Sequence, residues 1–186
     1  MKKRLHLFIF LLLLIAATEV QGQTIYFIPK AGLNLANTTN TPGTMKPGLN
    51  FGLSAEYMLT PRFSAEAGFA YSMQGAKFGD KDVDLKHDYL NIPVLGKYYV
   101  HKGLNVFAGP QLGIKVNTSS IGYVGEYVPR DMTRAVDVAA VIGAGYLLDT
   151  GLLFSTNLAL GLTDVSEVDT DTHRNWAIQL NFGYRF

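Results

Sequence analysis

Seven charged residues stand one at a time on the polar side of alternating runs: Lys30, Glu56, Glu66, Lys97, Lys115, Asp137 and Arg185. Four are cations and three are anions, so their charges nearly cancel. If strands bring them to a common interior, two kinds of chemistry are open to them. Charges lining a water-filled bore would make an ion-selective passage, whereas charges paired across a narrow bore would make a plug of salt bridges and amides. An eight-stranded barrel is just wide enough for its own side chains, which favours the plug and a structural role for all seven.

Other groupings offer less. Asp80, Asp82 and Asp84 recur at every second position like the start of a calcium loop, but no glycine follows at the turn position and no glutamate closes the set. They read as a solvated acidic loop. His87 lies beside Asp88 and His173 near Asp171, which would suit a histidine base at the outer rim, yet neither has a marked nucleophile nearby. His101 falls in a turn. The sequence therefore assigns no catalytic residue, no metal ligand and no cofactor.

The elements that must position the seven charges are strands. From Trp176 the chain alternates Trp176, Ile178, Leu180, Phe182, Tyr184 and Phe186 with Asn175, Ala177, Gln179, Asn181, Gly183 and Arg185. The cleanest run sets Leu49, Phe51, Leu53, Ala55, Tyr57 and Leu59 against Asn50, Gly52, Ser54, Glu56 and Met58. Similar alternation predicts strands around Lys30–Leu35, Phe63–Gln74, Leu90–Tyr98, Asn105–Val116, Val136–Gly145 and Leu152–Thr163, eight in all. Pro93 falls inside the fourth, where a missing ladder donor predicts a bulge or a local break. Thr60-Pro61-Arg62, His101-Lys102-Gly103 and Asp149-Thr150-Gly151 make short turns. Polar stretches over 37–47, 75–87, 117–134 and 164–173 read as long loops. Long and short connections alternate, as they do in outer-membrane barrels. A last strand with a free edge is an aggregation hazard, and pairing it with the first closes the sheet.

Composition narrows the setting. The 186 residues include no Cys, which leaves neither a disulfide framework nor a cysteine-linked lipid anchor. Lys2, Lys3 and Arg4, the apolar run Leu5–Ala17, and Val20 and Gly22 form the three parts of a secretory signal, so residues 1–22 are expected to be cleaved and 23–186 to form one barrel domain. Cleavage removes Lys2, Lys3, Arg4 and Glu19, taking the net charge from +1 to +1 − 2 = −1, which argues against nucleic acid as a partner. No later stretch is long and apolar enough for a membrane helix, so any span must be made of strands.

A soluble lipocalin-like barrel would also alternate, but it would show water a densely charged face. Here the polar face is dominated by Gly, Ser, Asn and Gln and suits a crowded lumen, while the apolar face is bulky and long enough to cross a bilayer. Tyr57, Phe63, Tyr98, Tyr146, Tyr184 and Phe186 near the short turns, and Tyr71, Tyr89 and Trp176 near the long loops, fit two interfacial girdles.

Several short motifs then fall in order: Lys30-Ala31-Gly32-Leu33-Asn34, Tyr89-Leu90-Asn91-Ile92-Pro93-Val94-Leu95, Gly109-Pro110-Gln111-Leu112-Gly113, Gly143-Ala144-Gly145-Tyr146, Gly161-Leu162-Thr163-Asp164 and the terminal Phe186. Together they make the chain resemble the small outer-membrane β-barrel proteins grouped around PorT, which share the eight-stranded architecture of OmpA and OmpX. The resemblance covers nearly all of 23–186. It implies an all-β, antiparallel, up-and-down transmembrane barrel in a Gram-negative outer membrane, and a proline in the fourth strand is usual in that group. Members often carry an arginine on the lumen face of strand seven, where this chain has Asn157, so an ion pair from that strand does not carry over. PorT itself is associated with protein secretion. The resemblance also implies that Phe186 and the alternating residues before it are read as a signal by the barrel-assembly machinery.

The expected protein is thus a monomeric barrel in contact with outer-membrane lipids, acting through its surface loops on a partner the sequence does not name. A narrow channel and a lumen or rim enzyme are the alternatives.

Overall fold

In the computed structural model the described residues are 25–39, 44–78, 83–121, 135–163 and 174–186. The signal segment 1–22, Asp80, Asp82 and His173 lie outside them. Eight strands follow in order: β1 (Ile25–Thr38), β2 (Thr44–Met58), β3 (Phe63–Phe78), β4 (Val83–His101), β5 (Leu104–Ile121), β6 (Val136–Leu147), β7 (Leu152–Gly161) and β8 (Asn175–Tyr184). Each pairs antiparallel with its neighbours in sequence, and β8 pairs with β1 to close the barrel. The closure runs from Lys30 opposite Gly183 to Thr38 opposite Asn175.

The register sets the tilt. From Ile25 the paired residues run through Tyr57, Ala65, Gly96, Ala108, Ile142, Leu158 and Ile178 and return to β1 at Leu35, a stagger of 35 − 25 = 10 residues. Such a stagger inclines the strands and leaves an eight-stranded interior that side chains can fill.

Hydropathy marks what lies in lipid, and this is why it underestimates the strands. β1 extends to Thr38 and β2 begins at Thr44, so most of the stretch read as a loop over 37–47 is ladder, with Leu35 opposite Pro47 and Ala36 opposite Lys46. Likewise β3 continues to Phe78, β4 starts at Val83 and β5 runs on to Ile121. Above the bilayer the backbone still gains from pairing, but nothing there requires alternate residues to be apolar. The expected contrast between long and short connections shrinks accordingly: only 122–135 and 162–174 remain long, while 39–43 and 79–82 are short links between strands that have risen above the lipid. The wall is uneven, with 16, 19 and 18 residues in β3, β4 and β5 against 12, 10 and 10 in β6, β7 and β8.

The turns at the other end match the sequence reading. Thr60 Oγ1 accepts from the backbone N–H of Phe63 at 2.9 Å and of Arg62 at 3.3 Å, holding the β2–β3 turn. Lys102 and Gly103 both have positive φ, 36° and 85°, the twist that a two-residue hairpin demands. Pro93 lies in β4 opposite Gln111 of β5. On the β3 side the ladder passes from Ala67–Val94 to Ala70–Asn91 without pairing Pro93, the local break its missing N–H predicts.

Candidate functional site: lumen and lipid face

Strand parity sorts the side chains. The outward positions of all eight strands, from Ile25, Leu33 and Leu35 on β1 to Ile178, Leu180 and Phe182 on β8, carry no charge over the membrane-height segments. Phe51, Ile142 and Phe182 are 52%, 60% and 61% exposed, an unbroken apolar girth that water would not tolerate and a bilayer requires. Tyr71 closes this face toward the loop side: its hydroxyl donates to Asp88 Oδ2 at 2.8 Å, and Asn117 Nδ2 donates to the same oxygen at 3.1 Å. Tyr89 does not belong to the girdle expected from its height. It is buried inside, because it shares parity with Asn91 and Lys97.

Inside, four of the seven predicted lumen charges meet. Lys97 Nζ lies 2.9 Å from Glu66 Oε2 and 3.4 Å from Glu56 Oε2, and Lys30 Nζ bonds Glu66 Oε1. Glu56 Oε1 also accepts from Ser64 Oγ at 2.6 Å and from the Tyr99 hydroxyl at 2.7 Å. Two carboxylates and two ammonium groups make a neutral set, and Glu56, Glu66 and Lys97 are almost completely withdrawn from solvent. Charges can be held there only because each has an opposite one within reach. The set ties β1, β2, β3 and β4 together from the inside.

The other three stand elsewhere. Asp137 heads a separate network nearer the loops, bonded by Thr163 Oγ1 and by Asn175 Nδ2 at 3.2 Å; Asn175 Nδ2 also lies 3.3 Å from the Tyr89 hydroxyl. Lys115 is half-buried on the inward parity of β5, near that level. Arg185 sits at the short-turn end with its guanidinium 4.1 Å from the centre of the Tyr26 ring, a cation–π contact.

The apolar part of the lumen is not among the inward residues expected from the sequence. Leu95, Phe107, Val141 and Ala159 form one buried cluster, and Ile28, Leu147 and Leu153 form another with Tyr99 against it. Phe107 stands opposite Gly143, and a Cβ on that glycine would come within 2.4 Å of the ring. The ring therefore lies where only a glycine leaves room. Parity alone could have found these residues, since Phe107 lies between Asn105 and Gly109 on the inward side; its apolar type hid it among outward neighbours.

The family model described as outer membrane protein beta-barrel domain matches residues 21–167. The chain belongs to that family. Members of an outer-membrane barrel family contact outer-membrane lipids, and the uncharged outer face of this one does so here. Among solved structures, Neisserial surface protein A is similar over 89% of this chain and 100% of its own at 11% identity, with a TM-score of 0.54. Ail, the attachment invasion locus protein of Yersinia pestis, is similar over 90% of this chain and 100% of its own at 13% identity, with a TM-score of 0.50. At such identities the likeness is one of fold. No curated protein matches the chain in sequence.

Proposed function

We propose that this outer-membrane barrel is a sealed, monomeric, non-enzymatic anchor that presents its surface loops to a partner, as an accessory to protein secretion of the PorT kind. The observation that carries this reading is the filled bore. The Lys30–Glu66–Lys97–Glu56 set and the Phe107 cluster occupy the interior from opposite sides, which favours a plug over a passage. The taller wall of β3, β4 and β5 supports the loop role, since it lifts one side of the barrel above the bilayer. The order of motifs shared with the PorT group supports the link to secretion.

Conductance tests the seal. Purified barrel in planar bilayers is expected to give no steady current steps at moderate voltage. Reproducible open levels of porin size would overturn the sealed reading in favour of a channel.

A partnership with the barrel-assembly machinery is carried by Phe186 and the alternating apolar residues of β8. Phe186 is 70% exposed, its N–H donates to the Phe27 carbonyl at 3.0 Å, and its ring meets Tyr184 edge-on at 4.6 Å. An interfacial ring held this loosely contributes about 1–3 kcal/mol of burial. Phe186→Ala is expected to cut the amount of folded protein reaching the outer membrane in cells far more than it lowers stability after refolding from urea into detergent. Wild-type levels in the membrane would reduce Phe186 to a girdle residue, and an equal loss in both assays would make it part of the packing.

A further inference from the structure

Besides the open vestibule of about 1010 Å³ at the short-turn end, lined by Tyr26, Tyr99 and Arg185, the bore is incompletely filled at membrane height. Ringed by residues of all eight strands lies a cavity of about 60 Å³, bounded on one side by Lys30, Glu66, Asn50, Asn157, Gln179 and Asn181. Leu95, Phe107 and Val141 close the opposite side. Smaller spaces of about 10 Å³ and 20 Å³ lie next to it, the first sharing Lys30, Glu66 and Phe107 with it and the second sharing Asn91 and Gln111. It is thus a chamber within the membrane-spanning part of the barrel.

Two polar atoms on its wall lack protein partners among the described residues. Asn50 is only 6% exposed and its Nδ2 has no acceptor; Asn157 Oδ1 is buried with no donor. One is a donor and the other an acceptor, on strands β2 and β7. Buried amides left this way are costly, and native proteins satisfy them with other groups or with ordered water.

The wall also defines what can occupy it. The nearest charges, Lys30 and Glu66, already neutralise each other, so neither an anion nor a cation gains a free counter-charge. A free donor and a free acceptor on the wall of one cavity ask for a neutral molecule that does both. The volume is enough for about four waters at roughly 15 Å³ each. We propose that this chamber is a binding site for a small cluster of long-lived waters, which bridges Asn50 to Asn157 and solvates the Lys30–Glu66 pair from inside the barrel. The lumen is then wet against Asn50, Asn157 and Gln179 and dry only against Leu95, Phe107 and Val141. The ion pairs keep a hydrogen-bonding neighbour that the surrounding lipid cannot provide.

Water-selective NOE and ROE spectra of isotope-labelled barrel refolded in detergent micelles test this directly. The side-chain amide protons of Asn50, Asn157 and Gln179 are expected to show cross-peaks to water with NOE and ROE of opposite sign, the signature of bound rather than passing water. The backbone amide proton of Ile142, in the β6–β7 ladder on the lipid face and outside the cavity lining, is expected to show none. In the double variant Asn50→Leu, Asn157→Leu, which fills the chamber with methyl groups, the Gln179 cross-peak should be lost. Absence of the peaks in the unaltered protein, equal peaks at the Ile142 amide, or an unchanged Gln179 peak in a folded double variant would each overturn the proposal.

Discussion

Glu66→Ala is expected to destabilise the barrel by about 3–5 kcal/mol, the range for breaking a buried ion pair from one side. Glu66 is the hinge of the charged set because its two oxygens serve different lysines, Lys30 through Oε1 and Lys97 through Oε2. Removing it strands both cations. Lys97 would keep only Glu56, at 3.4 Å, and Lys30 would lose the sole ion-pair partner recorded for it among the described residues. Lys97 cannot easily leave, because its side chain is only 3% exposed, whereas Lys30 keeps contact with the lumen cavity. Glu66→Gln should cost less than Glu66→Ala, because an amide keeps the volume and one acceptor oxygen. Urea-induced unfolding in detergent or lipid vesicles, followed by the mobility difference between folded and unfolded forms on gels, measures both. If Ala and Gln each cost under about 1 kcal/mol, the set behaves like an exposed pair and does not hold the barrel. Conductance should stay at zero in both variants, since the plug has other members.

Phe107→Ala is expected to cost a similar amount, about 3–5 kcal/mol, for a different reason. The ring is packed against Leu95, Val141 and Ala159 within the bore and covers Gly143 across the β5–β6 ladder. The reciprocal substitution, Gly143→Ala, should also destabilise, because its Cβ would press on the Phe107 ring and would lie 2.5 Å from the Thr156 carbonyl oxygen. Combining the two should cost less than the sum of the single variants: the smaller residue at 107 relieves the first clash, while the backbone contact leaves part of the cost in place. Additive effects would show that Phe107 and Gly143 do not depend on each other. The same unfolding measurement serves all three variants.

These two sites show what can be read in one dimension. Alternation alone determined that the chain makes eight strands with one apolar and one polar face, because a strand in lipid must present a lipid-like side chain at every second position. The same periodicity put Glu56, Glu66, Lys97 and Asp137 on the inward side, and the turn chemistry of Thr60, Gly103 and Gly151 located the hairpins. Where the chain leaves the bilayer that constraint ends, and so the extra ladder at Met45–Pro47, Ala76–Phe78 and Ser119–Ile121 left no mark in hydropathy. Only the closed barrel decided which charges meet. Lys30 reaches Glu66 from two strands away, across β2, while Asp137 is lifted to another level and Arg185 turns to Tyr26 at the mouth. Those pairings depend on the ten-residue stagger, which sums the register of eight separate ladders and is written in no single stretch of sequence. The same stagger brings Phe107, Val141 and Ala159 to one level, so that side chains without any polar signal become half of the interior.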